Sequence, residues 1–281
     1  MITMRPCKDC GLRPKAQGRS RCYPCYRKSR QLTQHPIASE PRTLYIDIET
    51  APNMGLVWGQ WQQNLSLPQL VDFTEMLCFA YKWAGDEETT FVRGKDMAFT
   101  AWKLLNEADV VVHFYGSKFD IPHLNREFAQ LGLGPPRPFK QVDLKLACAK
   151  RFKFTSNKLA HISQAFGLEG KIDNSGWELW IRCLLGVEES WAEMEEYNRQ
   201  DVVLLEELHH ILLPWLSDHV HGYLYGSPDD KCPACGVGEL EDAGYARTKL
   251  SLYQQYTCTC CGKHFRDSKR LMGVDIQDSV L

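Results

Sequence analysis

The sequence contains no uninterrupted apolar run of the roughly 18 residues that a membrane-spanning helix needs. Its first ten residues, MITMRPCKDC, contain no apolar segment of the kind found in secretion signals. Internal repeats and low-complexity tracts are also lacking. We therefore expect an untargeted cytoplasmic protein in a reducing compartment, with no membrane partner.

A strong net charge is lacking as well, since the 281 residues sum to -2, but the charge is unevenly distributed. Residues 1–43 contain ten Lys and Arg against two acids, Asp9 and Glu40, and carry +8. Residues 231–270 contain seven Lys and Arg against four acids and carry +3, which leaves -13 for the remainder. Basic ends on an acidic body predict that the ends attract a polyanion more strongly than the body does.

Eight of the twelve cysteines form pairs with C-x2-C spacing, two pairs towards each end of the chain. Two such pairs supply four thiolates to one tetrahedral zinc, and the second set, which begins CPACG, resembles a zinc ribbon. The expected zinc ligands are Cys7, Cys10, Cys22 and Cys25 in the first set and Cys232, Cys235, Cys258 and Cys261 in the second. Cys260 remains an alternative to Cys258 or Cys261. Disulfides are the competing interpretation, and a reducing compartment argues against them.

The hydrophobic pattern predicts one α/β domain with a small module at each end. The expected boundaries are an N-terminal four-cysteine zinc module at 1–30, a linker at 31–43, the main domain at 44–217, a linker at 218–230, a zinc ribbon at 231–270 and a tail at 271–281. The expected strands are 44–49, 77–83, 89–93, 109–114 and 140–146, and the expected helices are 120–132, 157–167, 176–185 and 188–214.

The segment RTLYIDIETAPN has two carboxylates in what is otherwise a buried strand. Asp47 and Glu49 are two positions apart, so both side chains project from the same face. Asp120 follows at the start of a helix, where an acid alone is most simply a cap. Tyr197 and Asp201 are four residues apart on one face of a later helix, where such a pair alone is usually solvated. The ordered series of all five residues is much more specific than its parts.

This series resembles the DEDD 3′–5′ exonucleases, the DnaQ-like branch of the ribonuclease H-like superfamily, over about residues 43–217. The phrases DIETAPN, KFDIPHLNREF and YNRQDVVLLEEL are similar to those of exonucleases encoded by bacteriophages. Glu196 stands where the His subclass would have histidine, so the resemblance is to the Tyr subclass. One position departs from the family pattern, because Tyr115 replaces the usual Asn of the second motif.

The resemblance implies a ribonuclease H-like mixed sheet flanked by helices and two catalytic Mg²⁺ or Mn²⁺ ions. These are in addition to the two structural Zn²⁺ ions that the cysteine spacing predicts. It implies that Asp47 bridges both catalytic ions, that Glu49 and Asp201 complete the first, and that Asp120 helps to hold the second. Tyr197 would orient the attacking water. The buried carboxylates of the strand would then be compensated by divalent cations.

The implied activity is 3′–5′ exonuclease cleavage of single-stranded or frayed DNA ends, with release of nucleoside monophosphates. An exoribonuclease, or a non-catalytic zinc-dependent nucleic-acid-binding protein on a nuclease scaffold, is the alternative. The implied partners are single-stranded DNA or the 3′ ends of duplex DNA, RNA if the alternative holds, and a replication or recombination protein. A phage-encoded member would act in the host cytoplasm.

Substrate contacts are predicted from aromatic residues, and from basic residues interleaved with them, near the motifs. Trp58 and Trp61 allow two interpretations, base stacking or core packing. Phe152 and Phe154 likewise allow stacking beside their lysines or packing in the core. The candidate substrate-binding residues are Thr50, Tyr115, Phe119, Lys153 and Lys158. Asp143 lies near the motifs, but no pattern assigns it a role.

Overall fold

A computed structural model describes residues 41–61, 63–168, 174–217, 219–225 and 230–274. The expected N-terminal zinc module, with Cys7, Cys10, Cys22 and Cys25, lies outside the described residues. So do residues 31–40 of the expected linker and residues 275–281 of the expected tail. None of the described helices is both long enough and apolar enough to cross a bilayer.

The main domain contains seven strands and six α-helices among the described residues. The strands are β1 (Thr43–Thr50), β2 (Met54–Gly55), β3 (Leu70–Asp72), β4 (Met76–Trp83), β5 (Thr90–Arg93), β6 (Val110–His113) and β7 (Lys140–Asp143). The helices are α1 (Met97–Glu107), α2 (Asp120–Gln130), α3 (Leu144–Arg151), α4 (Leu159–Ala165), α5 (Trp177–Leu184) and α6 (Glu188–Leu212).

Five of these strands form a mixed sheet in the order β5-β4-β1-β6-β7. Strand β1 pairs antiparallel with β4 and parallel with β6, and β6 pairs parallel with β7. The sheet is flanked by helices, so the α/β class with a mixed sheet is confirmed. Strand β1, which contains Asp47 and Glu49, is the central strand of the sheet.

The alternation along β1 divides its side chains between two cores. Leu44, Ile46 and Ile48 are buried against α1 and α2 on one face of the sheet. Tyr45 points to the opposite face and packs against the apolar side of α6. Asp47 and Glu49 share the face of Tyr45, because they are two and four residues further along the strand. The two carboxylates therefore face α6.

The sequence-based prediction missed one helix and made one strand too long. Helix α1 was not expected, although its buried positions Ala98, Ala101 and Leu105 have helical spacing. The strand expected at 140–146 ends at Asp143, because the Asp143 carboxylate accepts a hydrogen bond from the backbone N–H of Leu146 and begins helix α3 there. The segment after Asp143 is therefore helical.

A small hairpin of β2 and β3 lies in the chain between β1 and its sheet neighbour β4. The indole rings of Trp58 and Trp61 in this hairpin are exposed, at 103% and 84% of their reference areas. The interpretation that these two residues pack in the core is therefore wrong. By contrast, Phe152 and Phe154 pack against each other and against Phe166, so the core interpretation of these two residues is correct.

The C-terminal module is a four-stranded antiparallel sheet that we call the ribbon. Its strands are β8 (Leu240–Arg247), β9 (Ser251–Cys258), β10 (His264–Arg266) and β11 (Met272–Gly273), with β9 in the centre. The buried Lys263 side chain donates hydrogen bonds to the carbonyl oxygens of Leu213 and Leu216, just after α6 ends. The ribbon is therefore docked on the C-terminal end of α6.

Candidate active site and metal centres

Three carboxylates from two elements meet at one point. Asp47 and Glu49 come from β1 and Asp201 from α6, and one oxygen of each lies within 4.8 Å of the others. Asp201 is buried, and the other two are half-buried. Carboxylates this close repel one another unless a cation or a proton compensates them. An all-oxygen donor set of this kind suits Mg²⁺ or Mn²⁺.

Two neutral donors orient the β1 carboxylates. The Asn198 amide donates to Oδ2 of Asp47 at 2.8 Å and to the Asp47 carbonyl oxygen at 3.3 Å. The Trp180 indole N–H donates to Oε2 of Glu49 at 3.1 Å. Because both donors are uncharged, they fix the direction of the carboxylates without neutralising them. Sequence reasoning did not assign a role to either residue.

Asp120 lies at the first position of α2 and is 3% exposed. Its Oδ1 accepts a hydrogen bond from the backbone N–H of Ile48 at 3.1 Å, and Ile48 lies between Asp47 and Glu49. Burial raises the pKa of Asp120 to about 7, and the Asp143 carboxylate adds to this, while the N–H groups of Ile48 and Asp120 oppose it. A buried carboxyl group with a raised pKa is a group that a bound cation would stabilise.

Tyr197 lies one turn before Asp201 on α6 and is 7% exposed. Burial raises the pKa of its phenol well above 10, and the charges of Asp201, Glu49 and Asp47 raise it further. The phenol therefore stays protonated at neutral pH and acts as a hydrogen-bond donor beside the carboxylates. Its ring also makes an edge contact with Trp180, with 6.0 Å between the ring centroids.

The loop before α2 is held by Asp143, the residue without a role at the sequence level. The Asp143 carboxylate accepts hydrogen bonds from the Tyr115 N–H at 3.0 Å, the Ser117 N–H at 3.3 Å and the Ser117 hydroxyl at 2.6 Å. Tyr115 has φ 71°, which is unusual for a residue other than glycine. A Cβ at Gly116 would lie 2.5 Å from the His113 ring, so only glycine fits there.

The loop also presents aromatic surface at the site. Tyr115 and Phe119 are each 39% exposed, and the Lys145 ammonium lies 3.7 Å from the centroid of the Tyr115 ring. Thr50 lines a shallow pocket with Trp177 and Trp180. Lys153 and Lys158, the two basic substrate-binding candidates, are both exposed.

A family model described as RNase_H superfamily matches residues 44–213. This match covers more than half of the chain, and it coincides with the domain that contains the carboxylates. The chain belongs to the RNase_H superfamily. No curated protein matches its sequence. Membership of the RNase_H superfamily supports a nuclease function and nucleic acid as the substrate.

One similar solved structure is the family B DNA polymerase from the hyperthermophilic archaeon Pyrobaculum calidifontis. The TM-score is 0.47 at 15% sequence identity, and the match covers 76% of this chain and 32% of the polymerase chain. The chain therefore spans about a third of the length of that polymerase.

Outside the superfamily domain, the ribbon gathers a second group of metal-binding side chains. The sulfur atoms of Cys232, Cys235, Cys258 and Cys261 all lie within 4.8 Å of one another. The sulfurs of Cys232 and Cys261 are 3.8 Å apart, and those of Cys235 and Cys258 are 3.7 Å apart. A tetrahedron with Zn–S bonds of about 2.3 Å has edges of about 3.8 Å. The geometry therefore fits zinc, and Cys260 is exposed outside this group.

Proposed function

We propose that this RNase_H superfamily member is a metal-dependent 3′–5′ exonuclease of the DEDD type, Tyr subclass. It would release nucleoside monophosphates from single-stranded or frayed DNA 3′ ends. The observation that carries the proposal is that carboxylate oxygens of Asp47, Glu49 and Asp201 lie within 4.8 Å of one another. Asp120 accepts a hydrogen bond from the backbone N–H of Ile48, the residue between Asp47 and Glu49.

Two Mg²⁺ or Mn²⁺ ions, when bound, would activate the attacking water and stabilise the leaving 3′ oxygen. Asp47, Glu49 and Asp201 would hold one ion, and Asp120 together with Asp47 would hold the other. Asn198 and Trp180 keep the Asp47 and Glu49 oxygens directed at the site through their hydrogen bonds. Structural Zn²⁺ in each cysteine set is part of the same proposal, with Cys232, Cys235, Cys258 and Cys261 as the ribbon ligands.

Tyr197 supplies the proton-bearing group of the proposed mechanism. Its phenol stays protonated because burial raises its pKa. It can therefore donate a hydrogen bond to the attacking water or to a phosphate oxygen, beside carboxylates that only accept. This donor, one turn before Asp201, supports the Tyr subclass.

A single-stranded substrate is supported by exposed aromatic rings on two segments that adjoin the motifs in the chain. Tyr115 and Phe119 flank the start of α2, and Trp58 and Trp61 belong to the hairpin that follows β1. Exposed rings can stack on unpaired bases, which a paired duplex does not offer.

The test uses purified protein with 5′-labelled and 3′-labelled single strands of DNA and of RNA, with Mg²⁺ and after chelation with EDTA. We expect the 3′ label to be released first as a mononucleotide, the 5′-labelled strand to shorten stepwise, and EDTA to stop both. Preference for RNA would establish the exoribonuclease alternative. Binding without cleavage would establish the non-catalytic alternative, and shortening from the 5′ end would contradict the proposal.

A further inference from the structure

The two faces of the ribbon sheet have different surroundings. Residues paired directly across antiparallel strands share a face, and alternate residues of one strand lie on opposite faces. On one face, Cys258 reaches the cysteine cluster, and the Phe265 ring stacks on His219 of the segment that connects the ribbon to the main domain. The centroids of these two rings are 6.2 Å apart. This face is directed towards the rest of the molecule.

The opposite face combines aromatic, amide and guanidinium groups. Tyr253 and Gln255 alternate along β9, and Arg266 lies directly opposite Gln255 in β10. The Arg266 guanidinium lies over the Tyr253 ring, with its carbon 4.1 Å from the ring centroid. We call Tyr253, Gln255, Arg266 and Arg270 the outer face of the ribbon.

Arg270 belongs to the outer face because of its position over Gly273. Gly273 pairs with Ser251, which is two residues before Tyr253 on β9 and shares its face. A Cβ on Gly273 would meet the Nη1 atom of Arg270 at 2.6 Å, so the Arg270 guanidinium covers the strand there. The Arg266 side chain, and less strongly Arg270, lower the pKa of the Tyr253 phenol. The two guanidinium groups thus lie on the same side of the sheet as the Tyr253 ring.

The outer face combines positive charges that can bind phosphates with a ring on which a base can stack, as binding of a single nucleic-acid strand requires. Arg266 and Arg270 are exposed, and Tyr253 and Gln255 are half-buried. The acid Glu241 also faces this side, opposite Thr257 at the far end of β9. Guanidinium groups bind phosphates, and a base stacks on an aromatic ring or on a guanidinium plane. Gln255 adds an amide that can reach base edges.

We propose that the outer face of the ribbon is a second binding site for single-stranded nucleic acid, separate from the carboxylate site. It rests on the proposed nuclease function in one respect, that the substrate is a nucleic-acid strand. Because the ribbon is docked on the end of α6 through Lys263, this second contact is held at a fixed position relative to the carboxylates. The strand would therefore stay bound by the ribbon while its end is processed.

The test measures binding rather than cleavage. The full-length Asp47→Ala variant is titrated against a fluorescein-labelled single strand of about 30 nucleotides, over a series of NaCl concentrations, without added Mg²⁺ or chelator. We expect Arg266→Gln and Arg270→Gln each to reduce the slope of log affinity against log salt by about 0.7. Tyr253→Ala should weaken binding about tenfold, whereas Tyr253→Phe, which keeps the ring, should bind like the parent.

The matched control is Arg247→Gln. Arg247 is exposed on the same ribbon but pairs with Leu252, so it lies on the opposite face. The substitution removes the same charge as the outer-face variants do. We expect its affinity, and its slope of log affinity against log salt, to equal those of the parent. The proposal is overturned if the outer-face variants bind like the parent, or if Arg247→Gln weakens binding equally. Zinc content and thermal unfolding are measured on every variant, and a loss of affinity with both unchanged supports the proposal.

The binding and cleavage results are independent. If the wild-type protein cleaved no strand but the outer-face variants still lost affinity, the proposed exonuclease function would fail and the second binding site would stand. If cleavage proceeded as proposed but these variants bound normally, only the second site would fail.

Discussion

At the scale of single residues, Tyr197 differs from the clustered carboxylates of the site because its protonated phenol can donate a hydrogen bond, whereas they only accept. The variant Tyr197→Phe removes the hydroxyl and keeps the ring that contacts Trp180. We expect kcat to fall by roughly 10²–10⁴, the range typical of a positioned proton-handling group. Single-turnover cleavage of a labelled strand measures this. Unchanged kcat would remove Tyr197 from the mechanism.

Some residues of the candidate site could be predicted from their spacing in the sequence, and others became evident only from the three-dimensional structure. Asp47 with Glu49, and Tyr197 with Asp201, could be predicted because each pair shares one regular element, and the period of that element places both side chains on one face. Asn198 and Trp180 could not be predicted in this way. Their contacts with Asp47 and Glu49 join positions 151 and 131 residues apart, and only the packing of α5 and α6 against β1 brings them together.

At the scale of elements, the loop between β6 and α2 is positioned by a single carboxylate from β7. The variant Asp143→Asn keeps one acceptor oxygen but cannot accept from the Ser117 N–H, the Ser117 hydroxyl and the Tyr115 N–H together. We expect a loss of about 1–3 kcal/mol in stability. We also expect a lower kcat, because the loop leads directly into Asp120.

The control for Asp143→Asn is Ser117→Ala, which removes one of these donors and should have a smaller effect in the same direction. Thermal unfolding and kcat are measured on both variants. A loss of stability with unchanged kcat would show that Asp143 stabilises the fold without positioning the site.

The hairpin of β2 and β3, which follows β1 in the chain, carries the exposed rings of Trp58 and Trp61. If Trp58 and Trp61 stack on unpaired bases, Trp58→Ala and Trp61→Ala should each raise KM for a single strand about tenfold. Thermal stability should be unchanged, because both rings are exposed. The control is Leu131→Ala. Leu131 is an exposed apolar residue that follows the C-terminal end of α2, whereas Asp120 lies at the N-terminal end. Equal KM values in all three variants would exclude the hairpin from substrate binding.

The element boundaries show where sequence patterns are insufficient. The strand expected at 140–146 continued past Asp143 because Leu144 and Leu146 fit a strand as well as a helix. The Asp143 side chain decides between them by capping α3. The buried positions of helix α1 have helical spacing, but the exposed Phe99 stacks on the half-buried Trp102, and this weakens the contrast between the apolar and polar faces of the helix.

At the scale of the whole molecule, the ribbon and the main domain are joined by a buried lysine. Lys263 is 6% exposed and donates to carbonyl oxygens of Leu213 and Leu216. An ammonium group at a helix C-terminus is favourable, and unpaired buried carbonyls are costly. The variant Lys263→Met keeps the aliphatic stem, and we expect a loss of about 1–3 kcal/mol in the free energy of unfolding.

Denaturant unfolding measures this loss, with Lys249→Met as the control. Lys249 is exposed between β8 and β9 of the same ribbon, and its replacement should leave stability within about 0.5 kcal/mol of the wild type. Equal stabilities of the two variants would mean that the contact does not hold the ribbon in place.

The central claim is that the β1 carboxylates are catalytic, and Asp47→Ala tests it most directly. The change removes the residue proposed to contact both catalytic ions, and it also relieves repulsion among three carboxylates that lie within 4.8 Å. The variant should therefore fold, with circular dichroism and thermal unfolding like the wild type. Glu196→Ala is the matched control, because it removes an exposed acid next to Tyr197 that lies outside this cluster.

The decisive measurement is release of mononucleotides from a 3′-labelled DNA strand in Mg²⁺ by these two variants and the wild type. We expect Asp47→Ala to fall to background, while Glu196→Ala cleaves like the wild type. Cleavage by folded Asp47→Ala at near wild-type rates would contradict the catalytic assignment of the carboxylates of β1.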